Sequence, residues 1–537
     1  MRRLLTATAL VLLVLVCAAV TMACQGDEAT TVPTEAVTEA PAPTVQTASE
    51  VDALILEIDG ATIANEDKID TAFLAYCSLS EEEKAKVVYY PVLANLRYEL
   101  TKAYVVKDYM DTRMRHNELL IGAYVCSVQP VDLTADYHMQ AMADCHVDYA
   151  WHVSGHGGTT NTAVLDRYEK YGIGVFEWAG NLGIYTWKGE NRFQGEESAN
   201  PPLPIEQFEA TLPSREAADH NALWGFYMQD EPNAGDFDWM GAAGAMVQEK
   251  VLPDSAIMLN LYPNYAAAPQ LGRGSYRAYI QSFVSNVKSD FICYDHYLYS
   301  TPMERLEGFS RTLENYDIVA DICRMKDRDF YVILQNHSND GEKMDSMTVE
   351  TLRFQSYLSM AYGAKSLIWA CWIEGWGTDN ILNNGGDKSE QYRELQTVNA
   401  ELEVIEPVYM RYTGKATAIL WGEKSNATDT MVGFAKQNKA EKMEQTSLTD
   451  LSCGDSDYVV VGAFDKNVGD GEAYLFVGCN DIYFDSDVTA TVTFKAASPD
   501  AKLTAYVRGI PTVLTPDESG VYTVTIVNAD AVFVTVN

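Results

Sequence analysis

From Leu119 to about Tyr412, short and nearly continuous apolar runs alternate with stretches in which apolar residues recur every three or four positions. The runs are LLIGAYVCS (119–127), DYAWHVSG (148–155), GIGVFEWAG (172–180), LWGFYMQDE (223–231), AIMLNLYP (256–263), FICYDHYLY (291–299), FYVILQNHS (330–338) and SLIWACWIE (366–374). Each is short and rich in β-branched and aromatic residues, as a strand buried on both faces requires. Between them, DLTADYHMQAMADC, NTAVLDRYEKYG, SYRAYIQSFVSNVKS and TVETLRFQSYLSMAYGAK carry the period of amphipathic helices. Strand and helix in eightfold alternation predict a parallel sheet, and the count favours closure into a (β/α)8 TIM barrel over residues 115–412.

The flanks are patterned differently. Residues 51–108 repeat with helical spacing, with Ile69, Ala72, Phe73 and Tyr76 on one face. Ser80 and Glu83 are spaced as a capping box, and Leu93, Leu96 and Leu100 follow Pro91 in a third helix. This stretch resembles the small three-helix module repeated in many bacterial surface proteins, which implies a spacer. From 413 to 537 the apolar residues alternate singly with polar ones between turn residues, as in an antiparallel β-sandwich. Within it DKNVGDGE (465–472) is acidic and Gly-rich, but its spacing is not that of a calcium loop, and it reads as a hairpin turn. The fold class expected is therefore multidomain α/β: a helical spacer, a TIM barrel and a β-sandwich.

The N-terminus adds a location. Arg2 and Arg3 precede an apolar run from Leu4 to Val20, which ends in VTMAC. Residues 1–23 read as a signal peptide, and VTMAC resembles a bacterial lipobox, which implies lipidation of Cys24. Residues 24–50, dominated by Thr, Ala, Pro and Glu, read as a tether. The expected site is the outer face of a bacterial membrane, with contact through the lipid alone. With 39 basic against 76 acidic residues the net charge is −37, which excludes nucleic acid as a partner. The remaining cysteines beyond the signal and Cys24 are scattered, and spacing gives no support to a Cys453–Cys479 bridge.

In a barrel of this kind, chemistry belongs at the C-terminal ends of the strands. Those ends offer Tyr124, His152, Glu177, Trp178, Asp230, Glu231, Asn260, Tyr262, Asp295, His296, Tyr297, Gln335, Trp369, Trp372 and Glu374. Aromatic faces suit the C–H groups of a sugar ring, while acids and amides suit its hydroxyls, so the expected partner is a carbohydrate. A Glu ending the fourth strand is placed to protonate a leaving-group oxygen, and its neighbour Asp230 would raise its pKa.

At this point GFYMQDEP, YDHY and YGAKSLIWACW resemble a group of barrel glycosidases with a D-E-P signature, within the large retaining clan of glycoside hydrolases. The resemblance covers roughly residues 115–410 and implies that Glu231 is the acid/base. The clan's nucleophile is a Glu ending the seventh strand, where this chain has Gln335. A second carboxylate must then come from Asp295 or Glu374, with Glu177 behind them. A substrate-assisted reaction would need only Glu231 and Asp230. A barrel that binds sugar without catalysis is the alternative. No HExxH, phosphate loop or G-x-S-x-G elbow occurs, so neither metal nor cofactor is expected.

Overall fold

The computed structural model describes the chain outside residues 1–45, 125, 127–135, 152–161, 179–203, 211, 213–217, 300–304, 338–346, 374–379, 384–385, 440–442, 444–445 and 485–486. Cys24, His152 and Glu374 lie outside the described residues, as does the side chain of Trp178.

Four helices come first: α1 (Ala48–Leu56), α2 (Glu66–Cys77), the single turn α3 (Glu81–Lys84) and α4 (Tyr90–Lys102). Ser80 accepts the Glu83 N–H at 3.3 Å and so caps α3. Val51, Ile55, Ile69, Phe73, Leu93 and Leu100 close a small core of their own. Helix α1 begins inside the segment expected to be tether, because Ala48, Val51 and Ile55 form an apolar stripe that α2 and α4 cover.

Eight parallel strands then close a barrel in sequential order. They are β1 (Leu120–Tyr124), β2 (Tyr149–Trp151), β3 (Gly174–Trp178), β4 (Leu223–Asp230), β5 (Ala256–Leu261), β6 (Phe291–Asp295), β7 (Asp329–Gln335) and β8 (Ala364–Ala370). The connecting helices are α5 (Asp136–Asp144), α6 (Thr162–Lys170), α7 (Ile205–Glu209), α8 (Phe237–Lys250), α9 (Ala268–Leu271), α10 (Tyr276–Asn286), α11 (Arg305–Lys326), α12 (Val349–Ala361) and α13 (Glu390–Tyr409). Alternate strand residues split into two cores. Tyr149, Phe176, Trp224, Met258, Cys293, Tyr331, Ile333 and Ile368 fill the interior, while Val175, Phe226, Leu259, Ile292, Val332 and Leu367 pack outward on the helices.

The C-terminal region holds β9 (Tyr412–Trp421), helix α14 (Asp429–Gln437), β10 (Leu448–Cys453), β11 (Tyr458–Lys466), β12 (Glu472–Gly478), β13 (Thr489–Ala496), β14 (Leu503–Val507), β15 (Ile510–Val513), β16 (Val521–Val527) and β17 (Ala531–Val536). They form a six-stranded sheet, β15-β14-β17-β12-β11-β9, and a three-stranded sheet, β10-β13-β16. Val459 and Val461 face the small sheet, while Val460 and Phe464 join the core shared with the barrel helices. Strand β11 is thus buried on both faces, which explains why YVVVGAF is continuously apolar. DKNVGDGE forms the turn and flanking residues of the antiparallel β11–β12 hairpin. Cys453 and Cys479 are free thiols. Among the described residues no helix is long and apolar enough to cross a membrane.

Candidate active site

The DEPN segment is built by the end of β4. Tyr227 pairs in register with Met258, but Gln229 then pairs with Leu259 and Asp230 with Asn260, so β4 carries an extra residue. Such a bulge re-aims the side chains beyond it. Tyr227 and Met258 face the interior and Leu259 the helices, so the shift places Asp230 on the interior row beside Asn260. Glu231 follows with φ at 43°, a left-handed conformation unusual for a residue with a side chain. Its N–H donates to the Asn260 carbonyl at 2.8 Å. Beyond it, the Tyr279 hydroxyl donates to the Pro232 carbonyl at 2.8 Å. Asn233 donates to the carbonyls of Pro269 and Gln270 at 2.9 and 3.0 Å, tying this turn to the short helix α9 that follows β5.

Three carboxyl groups meet here. Asn260 Nδ2 donates to Asp230 Oδ1 at 2.9 Å and to Asp295 Oδ1 at 3.1 Å. The two oxygens can be no farther apart than the sum of those distances. The Tyr124 hydroxyl also lies 3.4 Å from Asp230 Oδ1. Burial, with the like charges of Asp295 and Asp230 beside it, pushes the Glu231 carboxyl up to about 9. Burial and the charge of Asp230 push Asp295 up to about 7, against the pull of the Asn260 amide. Burial also raises Asp230, while Asn260, Tyr227 and Tyr124 draw it back. Glu231 therefore keeps its proton at pH 7 beside two carboxyl groups that both accept from the Asn260 amide, an arrangement that separates a proton donor from a base.

Several expected sugar contacts are placed elsewhere. Glu177 is fully buried on the outward row of β3, and its charge acts on Tyr168 of α6. Trp369 alternates with the inward Ile368 and Ala370, so it points outward and its Nε1 donates to Asn399 on α13 at 3.1 Å. Trp372 follows the end of β8 and is fully buried in the outer core, its ring 6.3 Å from that of Tyr392. His296 has both ring nitrogens engaged on α11, with Asn315 at 3.1 Å and Thr312 at 2.9 Å. Gln335 accepts the Tyr299 N–H and donates to the His337 carbonyl, both at 2.9 Å, so it braces the loop after β6.

Tyr297 and Tyr262 remain near the acids: the charge of Asp295 acts on the first and that of Glu231 on the second, though Tyr262 is buried. The sequence reading missed Tyr265. It is 41% exposed, stands edge-on to His296 and lies within the fields of Asp295 and Glu231. An aromatic just past Pro263 in the loop after β5 was the available signal.

Among the described residues, the one group of His, Cys, Asp and Glu close enough to share an ion is Asp166, Glu169 and His220, at the surface. His220 Nδ1 accepts the Ala222 N–H, which leaves Nε2 to carry the ring proton toward Asp166 at 3.1 Å.

No family model and no curated protein matches the chain. Solved structures with which it shares similarity include glycoside hydrolases. They include a β-galactosidase from Marinomonas ef1 at 10% identity and a TM-score of 0.38, covering 55% of this chain and 62% of that one. A family 42 β-galactosidase from G. stearothermophilus has 8% identity and a TM-score of 0.46, covering 80% and 99%. A family 128 endo-β-1,3-glucanase from Sorangium cellulosum has 11% identity and a TM-score of 0.32, covering 52% and 98%. The chain thus spans about three fifths of the first of these proteins.

Proposed function

We propose that the protein is a glycoside hydrolase acting on an extracellular oligo- or polysaccharide, held at the outer face of a bacterial membrane through a lipid on Cys24. Glu231 donates its proton to the glycosidic oxygen as the bond to the anomeric carbon breaks. Asp295 serves as the partner, either attacking the anomeric carbon or taking a proton from an attacking water. Asp230 holds a substrate hydroxyl, and the exposed ring of Tyr265 is available to a sugar face.

The observation that carries this reading is the convergence of three carboxyls, with the one at the strand end, Glu231, raised to about 9 by burial and by the charges of Asp295 and Asp230. Such a group keeps its proton at neutral pH and has room to release it. The test is release of reducing ends from a panel of neutral polysaccharides and aryl glycosides by the full chain, the Glu231→Gln variant and the Asp295→Asn variant. Cleavage by the parent that falls at least about 100-fold in both variants supports the reading. Equal cleavage by all three removes it.

A second reading, a surface protein that binds carbohydrate without cleaving it, draws on Gln335. The C-terminal end of β7 carries this amide in place of a carboxylate, and both ends of the amide are spent on backbone groups. Glycan binding with no cleavage by the parent would favour this reading.

A further inference from the structure

Asn260 touches every member of the acid cluster. Its Nδ2 is hydrogen-bonded to Asp230 and Asp295, and its backbone oxygen accepts the N–H of Glu231. The side chain is 2% exposed, and its Oδ1 has no donor among the described residues. Ionised carboxylates only accept hydrogen bonds, so the two aspartates dictate which end of the amide faces them. The same nitrogen cannot also serve the Glu231 carboxyl.

We propose that Asn260 is a positioning residue that sorts the three acids. It holds Asp230 and Asp295 as a pair of acceptors on one amide nitrogen and leaves Glu231 without that donor. A donor stabilises the charged form of a carboxylate, so the amide favours loss of a proton from both aspartates. Their charges in turn favour retention of the proton on Glu231. The titratable groups facing this amide are Asp230 and Glu231 at the end of β4, Cys293 and Asp295 on β6, and Tyr124 on β1. Tyr227 stands beneath, and Tyr262, Tyr265 and Tyr297 stand around them. Among the described residues, the charges acting on Glu231 are those of Asp295 and Asp230. The unpartnered Oδ1 is left to accept from a hydroxyl of the bound sugar. This last role rests on the hydrolase reading, whereas the sorting of protons does not.

The test is carbon-13 NMR of the full chain labelled at the Asp and Glu carboxyl carbons. Resonances are assigned by their loss in Asp230→Asn, Asp295→Asn and Glu231→Gln. In Asn260→Leu the midpoints of both aspartates should rise by about one pH unit and that of Glu231 should fall. Asn260→Ser, which offers one donor, should raise one aspartate and spare the other, and it serves if the Leu variant does not fold. Aspartate midpoints that stay at their parent values in a folded variant overturn the proposal. A parent titration of the expected form without cleavage of any glycan would sustain it and remove the hydrolase reading. Unmoved midpoints in an active enzyme would do the reverse.

Discussion

The N–H of Glu231 donates to the carbonyl oxygen of Asn260 at 2.8 Å while Glu231 itself holds a φ of 43°. The last bond of the β4–β5 ladder therefore falls on the residue that turns out of the sheet. A left-handed conformation costs an ordinary residue about 1–2 kcal/mol, and residues held in this way cluster at functional sites. The turn keeps a carboxyl group in a half-buried position beside two others rather than releasing it into water.

That position makes stability depend on pH in a defined direction. The folded pKa of Glu231, about 9, lies above its unfolded value, so the folded state holds the extra proton. Its contribution is complete below the unfolded pKa and is lost as pH rises through about 9; that of Asp295 is lost through about 7. Urea unfolding should therefore show stability falling from acid to alkaline pH, with the fall smaller by at least about 1 kcal/mol in Glu231→Gln. Parallel profiles for the two proteins would contradict this.

Gln335→Glu would introduce an acid at the end of β7, where the clan that the sequence resembles carries one. The amide that donates to the His337 carbonyl would become an oxygen facing an oxygen. The variant should lose about 1–3 kcal/mol of stability and gain no activity. Denaturation and glycan cleavage check both halves. A tenfold or greater gain in cleavage, on the order of 1.4 kcal/mol, would shift the partner role from Asp295 to β7.

Trp369→Phe should weaken folding rather than sugar binding, because the indole N–H is spent on Asn399 within the outer core. The lost bond leaves the Asn399 side-chain oxygen unserved, at a cost of about 1–3 kcal/mol. Glycan affinity measured on the folded variant should match the parent. A loss of affinity with unchanged stability would place this ring in the site after all.

Arg411 fastens the N-terminal helices to the remainder of the chain. Its guanidinium bonds Glu66 at 2.9 Å and Asp70 at 2.6 and 2.9 Å, and its Nε reaches the Pro407 carbonyl at 2.8 Å. Arg411 is 1% exposed; without it Asp70 loses this partner, while Glu66 keeps Lys466 Nζ at 2.8 Å and the Tyr104 hydroxyl at 2.6 Å. Arg411→Met should cost about 1–3 kcal/mol, and Arg411→Lys, which lacks the planar fork, somewhat less. Unfolding curves within experimental error of the parent would show the contact to be idle.

The eight barrel strands were legible because each is buried on both faces and reads as a continuous apolar run. The acids at the end of β4 were legible for the same reason, since a carboxyl pair closing such a run is conspicuous. Side-chain direction was not legible. A continuous run does not reveal which residues face in, so Glu177 and Trp369 were placed in the mouth although both lie on outward rows. The bulge in β4 has no mark in GFYMQDEP, yet it decides that Asp230 shares the interior row with Asn260. Gln335 could be named as a departure from the clan, but its role needed the backbone of Tyr299 and His337 beside it. The short strands β10 and β15 show little pattern: LTDLSC is half exposed, and in IPTV only Pro511 is buried.

The most direct test compares Glu231→Gln with the parent on two substrates of one sugar, an unactivated glycan and its 2,4-dinitrophenyl glycoside. An acidic phenol leaves without help, so a general acid matters only for the first. The expected result is a fall of at least about 100-fold in cleavage of the glycan, with the dinitrophenyl glycoside far less affected. Equal losses on both substrates, or none on either, would contradict the role assigned to Glu231.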